Sequence, residues 1–422
     1  MKGNGGEMVS ATIEQIVQVV GVDVEGGDAL VCSQALAILA KLVPGPGKAL
    51  LLSEDCDGAA LSTSIMDRHA ADAAVQLTGV KLLSAVARQG GDEGGVKVIR
   101  AGAVRVAMAV LAAHGSASES IAGLVLELVS DITGESGTEH DVPSSSLLCG
   151  SMGARGAFAS IGVNGGVAAL MQIVTRVVEE HPGSSDVQTF GCQVLAHLAM
   201  QSESGQYEVA CKSSAATIAV NVLCAADLVQ QKAPRSAAVF LLANISSGNE
   251  ACKEAVGTAG APSALAAIVK MYRASSDVLR LAIGALTQLS QVHAGRKYVV
   301  SSDAPAAVVL GMRAQASDPV ILDEGCYFLA ALAYGGPEGR AAVLEAGAEE
   351  FLANSIRRFG KKASHQKTVE MAKTIYEQLR SKGHAERDAA RASKDDGQDN
   401  DPRIVEDDTS RIVEVGEGGQ VV

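Results

Sequence analysis

The chain has 422 residues, 47% of them hydrophobic and 20% charged, with a net charge of −13. Trp is absent and aromatics reach only 3%, so a core must be built from Ala, Leu, Val and Ile; that composition suits closely packed helices and argues against a β-sandwich of this size. The negative charge works against any phosphate-rich ligand, which argues against nucleic acid as a primary partner. No uninterrupted apolar run reaches the roughly 18 residues that a membrane helix needs, and no apolar stretch follows a basic start as in a secretion signal.

Residues 1–7 are expected to be disordered, and residues 8–381 to form one repeat domain. A Leu-rich helical signature recurs at 35–43, 80–87, 124–130, 192–199, 240–246, 284–290 and 327–333. Aligned on Leu39, Leu83, Leu126, Leu195, Leu242, Leu286 and Leu329, it steps by 44, 43, 69, 47, 44 and 43 residues. Five of the six steps fit the period of roughly 40 to 47 of armadillo and HEAT units. A turn marker ahead of the middle helix, at Gly58, Gly102, Gly165, Ser214, Gly260, Asp303 and Gly347, steps by 44, 63, 49, 46, 43 and 44. These residue types suit a sharp turn that needs left-handed backbone angles. Both markers lengthen at one place, which puts an insertion at 134–156, rich in Gly and Ser and expected to be a mobile loop.

Each unit reads as short helix, turn, middle helix, loop and long helix. Between 249 and 290, NEACKEAVG, APSALAAIVKMYR and SSDVLRLAIGALTQLS supply the three, the last entered through a Ser-Ser-Asp cap. Three helices per unit favour armadillo over two-helix HEAT units, although sequence separates the two imperfectly. The predicted fold is all-α: a right-handed superhelical solenoid of about seven to eight three-helix repeats, whose stacked neighbours bury one continuous core.

The stretch LLANISSGNEACKEAVGTAGAPSALAAIV at 241–269 resembles the armadillo repeat consensus, and the resemblance covers about 8–380. It implies an interaction scaffold whose long third helices line a concave groove. The stripe facing that groove is predicted as Leu77/Lys81/Ala85, Ser120/Leu124/Leu128, Thr189/Gln193/His197, Ser236/Phe240/Asn244, Arg280/Gly284/Gln288 and Asp323/Tyr327/Ala331. Peptide-binding members such as the importins carry Trp and Asn there. Only Phe240/Asn244 approximates that pair, so a nuclear-localisation-signal receptor is not expected. Polar and aromatic members cluster in the later repeats, making Gln193, His197, Ser236, Phe240, Asn244, Arg280, Gln288, Asp323 and Tyr327 the predicted partner-binding residues. Set against this, the same residues read equally as a solvated face, with Phe240 and Tyr327 packed on neighbouring repeats.

No catalytic or metal motif survives inspection. Gly45 to Ala49 lacks the first Gly and the Ser/Thr of a phosphate loop, residues 150–156 do not follow a strand, and Glu54 to Gly58 lacks the later ligands of a calcium loop. The eight His are scattered and the eight Cys form no CxxC pair, so the Cys read as reduced, buried small hydrophobes. Neither cofactor nor metal is expected, nor enzyme activity.

Residues 382–422 are predicted to be a disordered acidic tail; from 383 onward it carries eleven acidic and five basic residues, and it repeats Arg-Ile-Val-Glu at 403–406 and 411–414. A basic patch at Arg357, Arg358, Lys361, Lys362 and Lys367 is its expected intramolecular contact. The leading expectation is a cytoplasmic adaptor or scaffold for a protein or peptide, with nuclear entry open. The alternatives are a chaperone cofactor gripping a folded chaperone domain, and a cryptic enzyme or metal protein.

Overall fold

The computed structural model describes residues 28–45, 47–51, 53, 56–134, 166–228, 231–360 and 365–383, with Ala11, Ile13, Gln15 and Ile16 ahead of them. The expectations for 1–7, for the insertion beyond Gly134 and for the tail beyond Gly383, including both Arg-Ile-Val-Glu copies, lie outside these residues. All regular structure among the described residues is helical.

The first helix described over a continuous range, α1 (Ala29–Leu42), is a third helix. A triplet follows: α2 (Lys48–Leu51), α3 (Gly58–Arg68) and the first part of α4 (Ala73–Arg100). Gly91, at φ 56° and ψ −139°, breaks α4, so its second part is the first helix of the next triplet, completed by α5 (Ala103–His114) and α6 (Glu119–Thr133). Only a residue without Cβ takes that backbone conformation readily. Beyond the insertion lie α7 (Gly166–Glu180) and α8 (Ser185–Met200). The remaining triplets are α9 (Glu203–Cys211), α10 (Ala215–Cys224), α11 (Lys232–Ser246); α12 (Glu250–Thr258), α13 (Ala261–Met271), α14 (Ser276–Ser290); α15 (His293–Val300), α16 (Ala304–Ala314), α17 (Pro319–Tyr334); and α18 (Pro337–Glu345), α19 (Ala348–Phe359), α20 (Gln366–Gln378).

Third helices stack in one unbroken row, α1, α4, α6, α8, α11, α14, α17 and α20, each packed on the next, and second helices stack in a parallel row behind them. The core runs continuously between the rows, with Leu39, Leu83, Leu126, Leu195, Leu242, Leu286 and Leu329 all buried. This is an armadillo-type solenoid. No helix among the described residues is long and apolar enough to cross a membrane.

Two recurrent side-chain locks hold the rows. The fourth residue of several third helices caps the open carbonyls at the end of the second helix. Gln76 Nε2 donates to Met66 O at 2.8 Å and His69 O at 2.9 Å, Gln188 Nε2 to Val178 O at 2.7 Å and His181 O at 2.9 Å, and Arg235 Nη2 to Ala225 O at 3.3 Å. The last carbonyls of a helix have no partner within it, so a buried donor there removes a desolvation cost. The second lock sits on first helices and reaches the ends of third helices. Gln206 Nε2 donates to Asn244 O and Ser247 Oγ, Arg296 to Ser290 O, Gln291 O and Gly335 O, and Arg340 to Ala333 O. Cationic donors also complement the negative end of the helix dipole.

The turn markers divide by residue type. Gly102, Gly260 and Gly347 take φ of 79°, 84° and 72°, as expected of the left-handed turn. Ser214 and Asp303 stay at φ −84° and −72°, because a Cβ makes the left-handed region costly. Gly58 is itself the first residue of α3, and Asp57 caps that helix by accepting from Ala59 and Ala60 N–H. Ser275 stands at the N-cap of α14 as expected, but its side chain makes no capping bond. Among the Cys, Cys32, Cys56, Cys192, Cys252 and Cys326 are buried and Cys211 is half-buried. Cys224 is exposed, because it ends α10 where that helix meets solvent.

Candidate functional site: the third-helix groove

Spacing of four along each third helix places one stripe on the open face of the row. In the later repeats much of that stripe is engaged within the chain. Gln193 accepts from the Ser130 hydroxyl at 3.0 Å, across the seam between α6 and α8. His197 Nδ1 lies 3.1 Å from Thr133 Oγ1, whose own proton goes to Val129 O at 2.6 Å, so the ring nitrogen is the donor. The other side of the ring meets Phe240 edge-on with centroids 6.2 Å apart. Burial pushes the His197 pKa down to about 4. Asn244 is only 4% exposed, and its amide donates to Phe240 O in its own helix at 2.8 Å. Buried to this extent, Asn244 presents little of its amide to the groove for the peptide-clamping role suggested by Phe240/Asn244.

Farther along, Asp323 accepts from the Thr368 hydroxyl of α20, and the Lys367 ammonium sits 5.2 Å from the centre of the Tyr327 ring. Tyr327 is 41% exposed. Arg280 lies near Glu324, whose carboxyl is raised above the usual range by burial, with Arg280 opposing the rise. The structure thus brings Arg280, Asp323 and Tyr327 into one charge-balanced cluster and leaves Ser236 and Gln288 half-buried apart from it. Lys367 belongs to this cluster. Of the predicted basic patch, Arg357 donates to Asn354 and Arg358 stacks 5.1 Å over Phe359, while Lys361 and Lys362 lie outside the described residues.

Earlier in the row the stripe opens instead. A cavity of about 360 Å³ lies where α4, α6 and the start of α8 converge, lined by Leu77, Lys81, Glu119, Ser120, Gly123, Leu124, Glu127, Ser184, Asp186 and Phe190. Its apolar walls are Leu77, Leu124 and Phe190. Gly123 sets its floor, since a Cβ there would stand 3.3 Å from Asp186 Cβ. Arg88 of α4 bridges Glu127 and Asp131 of α6, the latter at 2.8 Å, which neutralises one lining carboxylate. Burial pushes the Asp131 carboxyl up, and Arg88 counters it. Glu119 and Asp186 remain at the rim against Lys81. Residue polarity alone missed this place; the repeat alignment put Leu77, Lys81, Ser120 and Leu124 on the stripe, but Glu119, Asp186 and Phe190 enter it only through helix convergence.

Among the described residues, no group of three or more His, Cys, Asp or Glu stands together to hold a metal. Neither a protein-family model nor a curated protein matches the chain. Among solved structures, the chain is similar to an engineered protein, with 18% identity and a TM-score of 0.53 over 90% of this chain and 92% of that one. A designed armadillo repeat protein gives 17% identity and a TM-score of 0.47 over 63% of this chain and 97% of that one. A structure of computationally designed armadillo repeat proteins for modular peptide recognition gives 16% and 0.38 over 76% and 98%. At the first identity and score the likeness is one of fold.

Proposed function

We propose that this protein is an interaction scaffold that holds an extended peptide or protein segment along its third-helix row, anchored in the cavity between α4, α6 and α8. The observation that supports this reading is the cavity itself: about 360 Å³ with three apolar walls and two rim carboxylates, on a stripe several of whose later polar members are engaged within the chain. A pocket of that size, with an apolar patch of Leu77, Leu124 and Phe190 inside a mostly polar and charged lining, suits one or two anchoring side chains. The order of parts, three repeats, an insertion, then four repeats and a last helix, is similar to armadillo repeat-containing protein 6. The role we carry from that resemblance is that of an interaction scaffold, and the location we propose for it is the cytoplasm.

The test is selection of binders from a random peptide display library on the full chain. Their affinities are then measured on Leu124→Arg and on a triple variant, Phe240→Ala with Asn244→Ala and Tyr327→Ala, with circular dichroism to verify folding. Selected peptides should weaken about tenfold or more on Leu124→Arg, the loss of one anchor, and keep their affinity for the triple variant. The reverse pattern places the site in the later repeats and overturns the anchor. The acidic tail is proposed as a salt-screened competitor of an acidic partner at Arg357 and Arg358. Deleting 383–422 should then raise the affinity of an acidic peptide at low salt only, and an unchanged affinity removes that proposal.

A further inference from the structure

The fourth residue of a third helix is Gln at 76 and 188, and each of those amides meets two carbonyls at the end of the second helix. In α11 that position is held by Arg235, a cation at 1% exposure, and its acceptors are poorer. Nη2 reaches Ala225 O at 3.3 Å, Nη1 donates to the Met271 sulfur at 2.8 Å, and Nε has no partner. No ion pair among the described residues includes Arg235. A thioether is a weak acceptor, so the buried charge is under-satisfied. Met271 ends α13 of the next repeat and is 50% exposed. Met66, Met108, Met171 and Met312 are buried, and Met200 and Met371 are half-buried. The most exposed methionine among the described residues therefore lays its sulfur against a buried guanidinium that lacks a good acceptor.

We propose that Met271 is a modification site, oxidised by hydrogen peroxide to the sulfoxide and held in that form by Arg235. A sulfur lone pair attacks one peroxide oxygen, the S–O bond forms and the O–O bond breaks. The departing hydroxide takes the proton from the oxygen now on sulfur and leaves as water. Sulfur loses two electrons and the peroxide gains them. The product oxygen is a far stronger acceptor than the thioether, and rotation of the flexible Met stem turns it toward Nη1, where it takes a charge-assisted hydrogen bond. A sulfoxide ordinarily disrupts the packing around it. Here it supplies the acceptor that the buried guanidinium lacks, so the sign of its effect on stability is reversed. The bond joins α11, which carries Ser236 and Phe240 of the groove stripe, to the end of α13 in the next repeat.

The experiment treats the full chain with mild hydrogen peroxide beside Met271→Leu and Arg235→Gln, the latter restoring the residue found at 76 and 188. Digestion after Glu and Asp releases Met271 in residues 255–277, which hold no other Met and no Cys. That peptide should gain one oxygen atom. The change in melting temperature on treatment should be about 1–3 °C more positive than in Met271→Leu, the gain expected of one charge-assisted bond. Arg235→Gln should behave as Met271→Leu does, although its Met271 is oxidised. Met271 left as the thioether overturns the proposal. So does a sulfoxide at 271 whose thermal change is no more positive than that of Met271→Leu, or an Arg235→Gln variant that gains as much as the wild type. The wild type and Met271→Leu decide the matter even if Arg235→Gln fails to fold.

Discussion

The opening at the start of α6 and α8 and the α17–α20 seam belong to one groove, yet they use their polar side chains in opposite ways. At α17–α20, Asp323 takes the Thr368 proton and Tyr327 takes the Lys367 ammonium, so charge is balanced within the chain. At the start of α6 and α8, Glu119 and Asp186 rim a cavity walled by Leu77, Leu124 and Phe190. A polar residue on a groove stripe is thus an invitation to a ligand only where no neighbouring repeat has already used it. The buried layer beneath both seams is the same, and only the surface layer differs.

The largest effect tests that shared layer. Leu126→Ala and Leu329→Ala, both at 0% exposure, should each cost about 2–5 kcal/mol. Urea denaturation showing a clearly unequal pair would mean that the two seams differ in their cores and break the comparison. Next comes His197, on α8 at the far end of the α6–α8 seam. Its folded pKa of about 4 lies below the ordinary 6.5, so below pH 6.5 the unfolded chain binds a proton that the folded chain refuses. Stability should be full above pH 6.5, fall by about 3 kcal/mol as pH drops toward 4, and level off below. The part of the slope due to this ring should vanish in His197→Leu; an unchanged pH profile would show the ring to be open to water.

Gln188→Ala should cost about 1–3 kcal/mol by leaving two helix-end carbonyls undonated, with no change in m-value. Thr368→Ala removes one bond at the later seam and should cost about 1 kcal/mol. If it also creates peptide binding near Tyr327, the later seam was occupied by its own side chains, which sharpens the comparison. The smallest effect is expected on the outer face. Asp67→Asn breaks a half-exposed ion pair with Arg105 and should shift stability by less than about 1 kcal/mol, less still at high salt.

The fold was legible because it follows from local, periodic causes. An apolar pair every 43 to 47 residues outside the insertion determines which helix faces are buried, and glycine at 102, 260 and 347 determines where the chain can turn. Even the exceptions have local reasons, as at Asp57, which caps α3 one residue before the expected turn. The candidate site was half legible: periodicity put Leu77, Lys81, Ser120 and Leu124 on the groove face, while polarity drew attention to the later repeats and passed over this cavity.

Sequence by itself therefore determined a helical repeat with one open face, because burial and backbone angles depend on residues within one unit. Tertiary structure alone decided which polar groups on that face are spent. His197 faces Thr133 from 64 residues away and Asp323 faces Thr368 across 45. Such pairings are set by the packing of one repeat on the next, a distance that no single unit encodes.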